Sequence, residues 1–199
     1  MATKPERSAR TDVRSVHSPA DLVPRHLPRP GATGAGGLAV YGSTGRCAIP
    51  PFSLPRADGT RVSAWDYRQR SNLLIFFHHG LACAGCRAIL GDLAKNLGRY
   101  LSEETAVLAI GPDDAAAAEH LPLLIDPSCE TARHCGLMPP ALVIADRYGE
   151  IWSAWTGGEA HDLPDQEQVL TWVERLEMQC EECGQPDWPP IPAGVAWEE

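Results

Sequence analysis

The chain has 199 residues, of which 44% are hydrophobic and 22% are charged, and its formal net charge is −9 at pH 7. This length suits one domain with a full hydrophobic core and is too short for two large ones. The acidic balance argues against nucleic acid as a partner, and no window reaches the roughly 18 apolar residues that a membrane span needs.

Residues 1–46 are basic, with seven Lys or Arg against three Asp or Glu, whereas the rest of the chain holds ten against twenty-three. Apolar residues are too sparse in this segment to offset the entropy cost of ordering it, so we predict a disordered N-terminal tail. No apolar stretch of signal-peptide length follows its first charges. We therefore expect a cytoplasmic protein whose cysteines are mostly reduced thiols.

A globular domain is predicted from residue 47 to residue 179. It begins with two short apolar pieces around Asp58 and Gly59, a turn pair typical of a β-hairpin. Residues 73–77 are five consecutive apolar residues, which predicts a strand buried on both faces. A helix is predicted next, because apolar residues recur at helical spacing at Ile89, Leu90, Leu93 and Leu97.

The middle of the chain alternates between short predicted strands and helices. The predicted elements are a strand at 106–110, a short helix opened by Asp113 and Asp114, an extended piece at 121–126, a helical turn ending at Gly136, and strands at 141–146 and 150–155. The last two strands are joined by a short turn at 147–149 and should pair antiparallel.

A final helix is predicted at 165–178, with Asp165 as a candidate N-terminal cap. Its apolar stripe consists of Val169, Trp172, Val173 and Leu176. The order of elements predicts an α/β fold in which a central mixed sheet is flanked by helices.

Cys83 and Cys86 stand two residues apart, between the strand at 73–77 and the helix that follows it. A cysteine at a helix start lies beside unpaired backbone N–H groups and the positive end of the helix dipole, which favour the thiolate. We therefore predict that Cys83 is the nucleophile of a redox dithiol and that Cys86, one turn later, resolves its mixed disulfide. Two alternatives remain, a zinc site and a buried pair without chemistry.

Other candidate residues lie near this pair or stand alone. His78 and His79 precede Cys83, and one of them is a candidate for polarising the thiol or moving protons; filling space at the mouth of the sheet is the alternative. For three further cysteines the sequence indicates no pairing partner, and they are interpreted as single thiols: Cys47, Cys129 and Cys135.

Three segments, in this order, resemble the thioredoxin-like superfamily: "PPFSLPRADGTRVSAWDYRQRSNLLIFF", "CAGC" and "PPALVIADRYGEI". Over residues 48–178 the chain is similar in particular to redoxins of the alkyl hydroperoxide reductase and thiol-specific antioxidant family. The resemblance implies a thioredoxin-like fold and a cis-proline at Pro140 that faces the active-site cysteines. The alternative is that Pro139 and Pro140 merely protect the start of a strand.

The chain also departs from these families. Peroxidatic members carry a Pro and a Thr or Ser seven and three residues before the reactive cysteine, where this chain has Phe76 and Gly80 before Cys83. Their Arg next to the proline is replaced by Ala141, and Phe77 stands where thioredoxin has a buried acid. We therefore predict thiol–disulfide oxidoreductase activity; the alternatives are a peroxiredoxin-like thiol peroxidase and a metal-binding module with an inert dithiol.

Residues 180–199 form a predicted C-terminal extension that is rich in proline and contains Cys180 and Cys183. This pair is interpreted as a second dithiol that passes electrons to the first, as a zinc knuckle, or as two idle thiols. No cofactor is expected to be required. The expected partners are a protein or small-molecule disulfide and a reductant, with neither nucleic acid nor membrane involved.

Overall fold

The computed structural model describes residues 48–113 and 121–178. The predicted N-terminal tail with Cys47 lies outside the described residues, and so does the C-terminal extension with Cys180 and Cys183. The same holds for nearly all of the short helix predicted to open at Asp113 and Asp114.

The elements within the described ranges match the predicted alternation of strands and helices. They are β1 (Ser53–Pro55), β2 (Arg61–Ser63), β3 (Asn72–Phe77), α1 (Ala84–Ser102), β4 (Thr105–Gly111), β5 (Leu123–Ile125), α2 (Glu130–His134), β6 (Ala141–Ala145), β7 (Ile151–Thr156) and α3 (Gln166–Glu177). A short 3-10 helix at Ala64–Tyr67, which was not predicted, follows β2.

The central sheet has five strands in the order β5-β4-β3-β6-β7. β3 lies in the middle, parallel to β4 and antiparallel to β6, so the sheet is mixed as predicted. β1 and β2 form a separate antiparallel hairpin, and Gly59 between them has a φ of 82°, which a residue with a side chain adopts at a steric cost.

Both faces of the sheet are covered, and successive residues of β3 alternate between two cores. Leu74 and Phe76 pack with apolar residues of α1 and α3. Leu73, Ile75 and Phe77 pack on the opposite face with residues of α2 and the N-terminal segment. All six residues of β3 are buried, as expected for a central strand covered on both sides.

The strand pairing brings several loops to one edge of the sheet. Phe77, the last residue of β3, pairs with Ile110 in parallel β4 and with Ala141 at the start of antiparallel β6. Ala141 in turn pairs with Thr156, the last residue of β7. The loops that follow β3 and β7, the start of the loop that follows β4, and the loop that precedes β6 therefore lie at the same edge.

Helices α1 and α3 pack on the same face and are joined by polar contacts at their ends. The guanidinium of Arg99 donates to the Glu167 carboxylate at 2.6 and 3.0 Å, and the Tyr100 hydroxyl donates to Gln166 at 2.6 Å. Asp165 caps α3 as predicted, because its carboxylate accepts from the Gln168 N–H at 2.8 Å. Within residues 48–113 and 121–178, no helix is long and apolar enough to cross a membrane.

Two leucines of α1 test this packing. Leu93 is fully buried beneath the helix, whereas Leu101 is 58% exposed. Leu93→Ala should lower the free energy of unfolding by about 2–5 kcal/mol, because it leaves a cavity in a close-packed core. Leu101→Ala, the matched control, should change it by less than about 0.5 kcal/mol. Urea unfolding measures both, and equal losses would contradict the assigned face of α1.

Candidate active site

The two cysteines of the dithiol lie at the start of α1 in different environments. Cys83 is the N-terminal cap residue of the helix and is half-buried. Cys86 lies one turn into the helix and is fully buried in the core beneath α1. Both are free thiols, so the described structure is that of the reduced dithiol.

The difference in environment separates the acidities of the two thiols. The backbone N–H of Cys86, helped by that of Gly85, holds the pKa of Cys83 below its ordinary value. Burial acts in the opposite direction on Cys86 and raises its pKa to about 11. Cys83 is thus the thiol that ionises first, and Cys86 retains its proton until a neighbouring base takes it.

Two histidines reach the sulfurs, and one of them was not predicted. Nε2 of His161 lies 3.1 Å from Sγ of Cys83 and 3.6 Å from Sγ of Cys86. The ring nitrogens of His79 lie 3.9 and 4.0 Å from Sγ of Cys86. The two imidazole rings are neighbours, with centroids 5.1 Å apart.

The loop after β7 carries His161 to this position. The N–H of Gly157 donates to the carbonyl of Pro140 at 2.8 Å, which ties the start of the loop to the start of β6. The loop then turns back on itself, because the N–H of Asp162 donates to the Gly157 carbonyl at 3.0 Å. His161, in the turn, has a φ of 55°, in the left-handed region.

Gly85 makes room for the His161 ring over the dithiol. A Cβ atom at position 85 would lie 2.8 Å from two carbon atoms of that ring, which is closer than van der Waals contact allows. Nδ1 of His161 lies 3.0 Å from the carbonyl oxygen of Glu159. Because a carbonyl oxygen only accepts, Nδ1 carries a ring proton, and in the neutral form of the ring Nε2 presents its lone pair to the sulfurs.

The structure separates His78 from its neighbour His79. His78 is fully buried beside Phe76, and neither of its ring nitrogens has a hydrogen-bond partner among the described residues. Burial lowers its pKa, although the carboxylate of Asp113 lies 3.9 Å from Nδ1. Its ring lies against Gly111, where no Cβ could be accommodated. No contact between His78 and either sulfur exists in the described residues, so of the predicted pair only His79 reaches the dithiol.

The peptide bond between Pro139 and Pro140 is cis, in agreement with the resemblance drawn from the sequence. Pro140 is buried and directly precedes Ala141, which pairs with the last residue of β3. The strand register therefore places it at the edge of the sheet where the dithiol lies. Its part in catalysis stays a prediction.

The remaining predicted cysteines are distributed away from the pair. Cys129 and Cys135 lie at the two ends of α2, and neither forms a disulfide, as predicted. Cys180 and Cys183 lie outside the described residues, so the predictions of a relay or a zinc knuckle stay predictions.

Comparison with known families locates the domain. The model of the AhpC/TSA family matches residues 46–154. Two curated relatives from Mycobacterium tuberculosis strains, both named "Putative peroxiredoxin", are 35% identical over 89 residues, which is 41% of this chain and 56% of each relative. The chain thus spans little more than half the length of these relatives.

Solved structures agree on the fold. The peroxidoxin BcpB of Mycobacterium tuberculosis superposes with a TM-score of 0.56 at 16% identity, over 65% of this chain and 96% of that one. A protein of Chlorobium tepidum, named "putative Thiol:disulfide interchange protein DsbE", superposes with a TM-score of 0.53 at 21% identity, over 64% of this chain and 96% of that one. The fold is thioredoxin-like, and because the family model covers more than half of the sequence, the chain belongs to the AhpC/TSA family.

Proposed function

We propose that the protein is a thiol–disulfide oxidoreductase in which Cys83 is the nucleophile and Cys86 the resolving thiol. The observation that carries this proposal is the asymmetry of the pair at the start of α1. One sulfur is accessible and stabilised as a thiolate by backbone N–H groups, and the other is buried with a raised pKa one turn away. Disulfide exchange by a dithiol requires such a pair, in which one thiolate attacks the substrate and a second thiol resolves the mixed disulfide.

In the first step, the Cys83 thiolate attacks one sulfur of a substrate disulfide. A bond forms between Cys83 and that sulfur, the substrate disulfide breaks, and the other substrate sulfur leaves as a thiolate. The backbone N–H groups that stabilise the Cys83 thiolate are in place before the substrate arrives.

In the second step, Cys86 attacks Sγ of Cys83 and releases the remaining substrate thiol. The buried thiol must first lose its proton, and Nε2 of His161, 3.6 Å away with its lone pair exposed, is a suitable acceptor. The products are a Cys83–Cys86 disulfide and a substrate reduced by two electrons. An external dithiol reductant must then return the enzyme to its reduced state.

The surface next to the site suits a protein substrate. Met138, which precedes the cis-proline pair, is 74% exposed, although large apolar side chains are usually covered. We propose that a protein segment carrying the substrate disulfide packs on Met138 while its sulfur approaches Cys83. A small-molecule disulfide would contact Cys83 without packing on Met138. The cytoplasmic location and the absence of a required cofactor stay predictions.

A thiol peroxidase is the second candidate, because the two curated relatives are named "Putative peroxiredoxin". The residues around Cys83 do not favour it. Gly80, three residues earlier, offers no hydroxyl group, and Ala141 beside the cis-proline offers no guanidinium. With fewer donors to polarise a peroxide, reduction of the O–O bond should be slow.

The first prediction concerns the order of thiol reactivity. In reduced protein treated with a chelator, iodoacetamide at mildly acidic pH should label Cys83 first, at least about tenfold faster than Cys86, since each unit of pKa changes the thiolate fraction about tenfold. As the pH falls, the labelling rate of Cys83 should decline only when the pH approaches its lowered pKa, because the thiolate is the form that reacts. Labelling of Cys86 should become appreciable only at alkaline pH.

Mass-spectrometric peptide mapping at several pH values measures these rates. Cys129, whose pKa is raised by burial, is an internal control on another helix and should react slowly throughout. Faster labelling of Cys86 than of Cys83 at mildly acidic pH would reverse the two assignments.

A second prediction separates the two candidate reactions. With a dithiol as electron source, the protein should reduce an aromatic disulfide rapidly and hydrogen peroxide slowly. Cys83→Ser should lower disulfide reduction to the background rate, and Cys86→Ser should accumulate the mixed disulfide on Cys83, because no resolving thiol remains.

Stopped-flow absorbance and intact-mass measurement follow these reactions, and Cys135→Ser is the control outside the dithiol. Rapid peroxide consumption that disappears in Cys83→Ser, together with slow disulfide exchange, would favour the peroxidase instead.

A further inference from the structure

We propose that the reduced protein binds one Zn²⁺ ion between Cys83, Cys86, His79 and His161. These side chains form the cluster of potential metal ligands found within the described residues. His79 and Cys83 lie between β3 and α1, Cys86 lies in the first turn of α1, and the loop after β7 supplies His161.

The distances between the ligand atoms are close to those of a tetrahedral site. Bonds of about 2.3 Å to sulfur and 2.0–2.1 Å to nitrogen place neighbouring ligands about 3.3–3.8 Å apart in a tetrahedron. Nε2 of His161 lies 3.1 and 3.6 Å from the two sulfurs, and the His79 ring lies 3.9 Å from Sγ of Cys86. All four ligand atoms lie within 4.8 Å of one another, so small side-chain rotations complete the site.

The environment of His161 is that of a metal ligand. Its Nδ1–H donates to the Glu159 carbonyl, the kind of outer-shell hydrogen bond that fixes the tautomer and the orientation of a ligating imidazole. The absence of a side chain at Gly85 allows the ring to lie over the sulfurs. Both features hold the Nε2 lone pair toward the centre of the cluster.

The donor set selects the class of metal. Two thiolates and two neutral imidazoles suit Zn²⁺, whereas Mg²⁺ and Ca²⁺ prefer oxygen ligands. The two sulfur charges balance the charge of the ion. This neutrality matters for Cys86, which is fully buried and is costly to ionise without a compensating charge.

Metal and disulfide exclude one another at this site. A substrate disulfide that oxidises the zinc-bound dithiolate accepts two electrons from it and two protons from water, which gives two thiols. The thiolates of Cys83 and Cys86 lose those electrons and join as a disulfide. Only the two imidazoles then remain as ligands, and Zn²⁺ dissociates. This consequence rests on the proposed function, since the same dithiol serves both; the metal site itself does not.

Cobalt titration tests the site on the whole 199-residue chain. Because Cys180 and Cys183 are further thiols, the protein carries Cys180→Ser and Cys183→Ser, is reduced and chelator-treated, and is titrated with Co²⁺. We expect one ion per chain, with sulfur-to-cobalt charge-transfer absorption and the intense visible bands of a tetrahedral site. Added Zn²⁺ should displace the cobalt and remove the bands.

Matched variants locate the ligands. His161→Ala should weaken Zn²⁺ binding by more than the roughly 10–100-fold typical of losing an outer-shell partner. His134→Ala, which removes an exposed side chain of α2, should not change it. Gly85→Ala should weaken binding at least about tenfold by displacing the His161 ring. Gly91→Ala on the same helix is its control, since a Cβ there meets nothing within 4 Å.

The outcomes distinguish this inference from the proposed function. The metal site is wrong if the protein binds no Co²⁺, or if the Cys83→Ser or His161→Ala variant binds Co²⁺ as tightly as the parent protein. In that case, disulfide exchange by the metal-free protein still tests the proposed function. If Co²⁺ binds with the expected spectrum but the metal-free protein shows no Cys83-dependent exchange, the site stands and the function fails. Full oxidation to the disulfide must abolish binding; retention of the cobalt bands would also refute the site.

Discussion

The pairing of β3 with both of its neighbours is the constraint on which the site depends. Because β4 runs parallel to β3, and β6 and β7 then alternate in direction, Phe77, Ala141 and Thr156 meet at one edge of the sheet. The dithiol follows the end of β3 at this edge, the cis-proline directly precedes β6, and His161 lies in the loop that follows β7. A slip of one residue in β3 would exchange its two buried faces and separate these groups. The core therefore stabilises the site as well as the fold.

The chemistry of the dithiol follows from where α1 begins. At its first turn, backbone N–H groups have no partner within the helix and point toward Cys83, so an anionic sulfur is stabilised there. Three residues later the same helix buries Cys86 against the sheet, where a charge has no such donors and little water. The position at which α1 begins thus lowers the pKa of one thiol and raises the pKa of the other. The spacing of two residues still keeps their sulfurs within reach of each other.

Much of the fold could be predicted from local patterns, and much of the site could not. The apolar run at 73–77, the helical spacing of Leu90 and Leu93 and the cap at Asp165 depend on neighbouring residues, so periodicity and capping rules predict them. His161 depends on tertiary structure, since it is 78 residues from Cys83 along the chain and reaches the sulfurs only through the strand order. A signal did exist: "GGEAHDLP" follows a strand that ends at the same sheet edge as the dithiol, so its histidine belonged among the candidates. His78 and His79 could not be told apart by type, because only packing determines which one is buried.

A proton, a metal ion and a second sulfur all compete for the same electron pairs on Cys83 and Cys86. The high proton affinity of Cys86 opposes metal binding as well as disulfide formation, because both reactions require its thiolate. In the neutral ring, the lone pair of His161 would assist both proposed reactions, since it can accept the Cys86 proton in one and donate electrons to the ion in the other. Zinc at a concentration well above its dissociation constant would protect the dithiol from oxidants by mass action, and a strongly oxidising disulfide would release the ion. In the proposed site, the same four side chains would therefore link the redox state of the protein to its metal content.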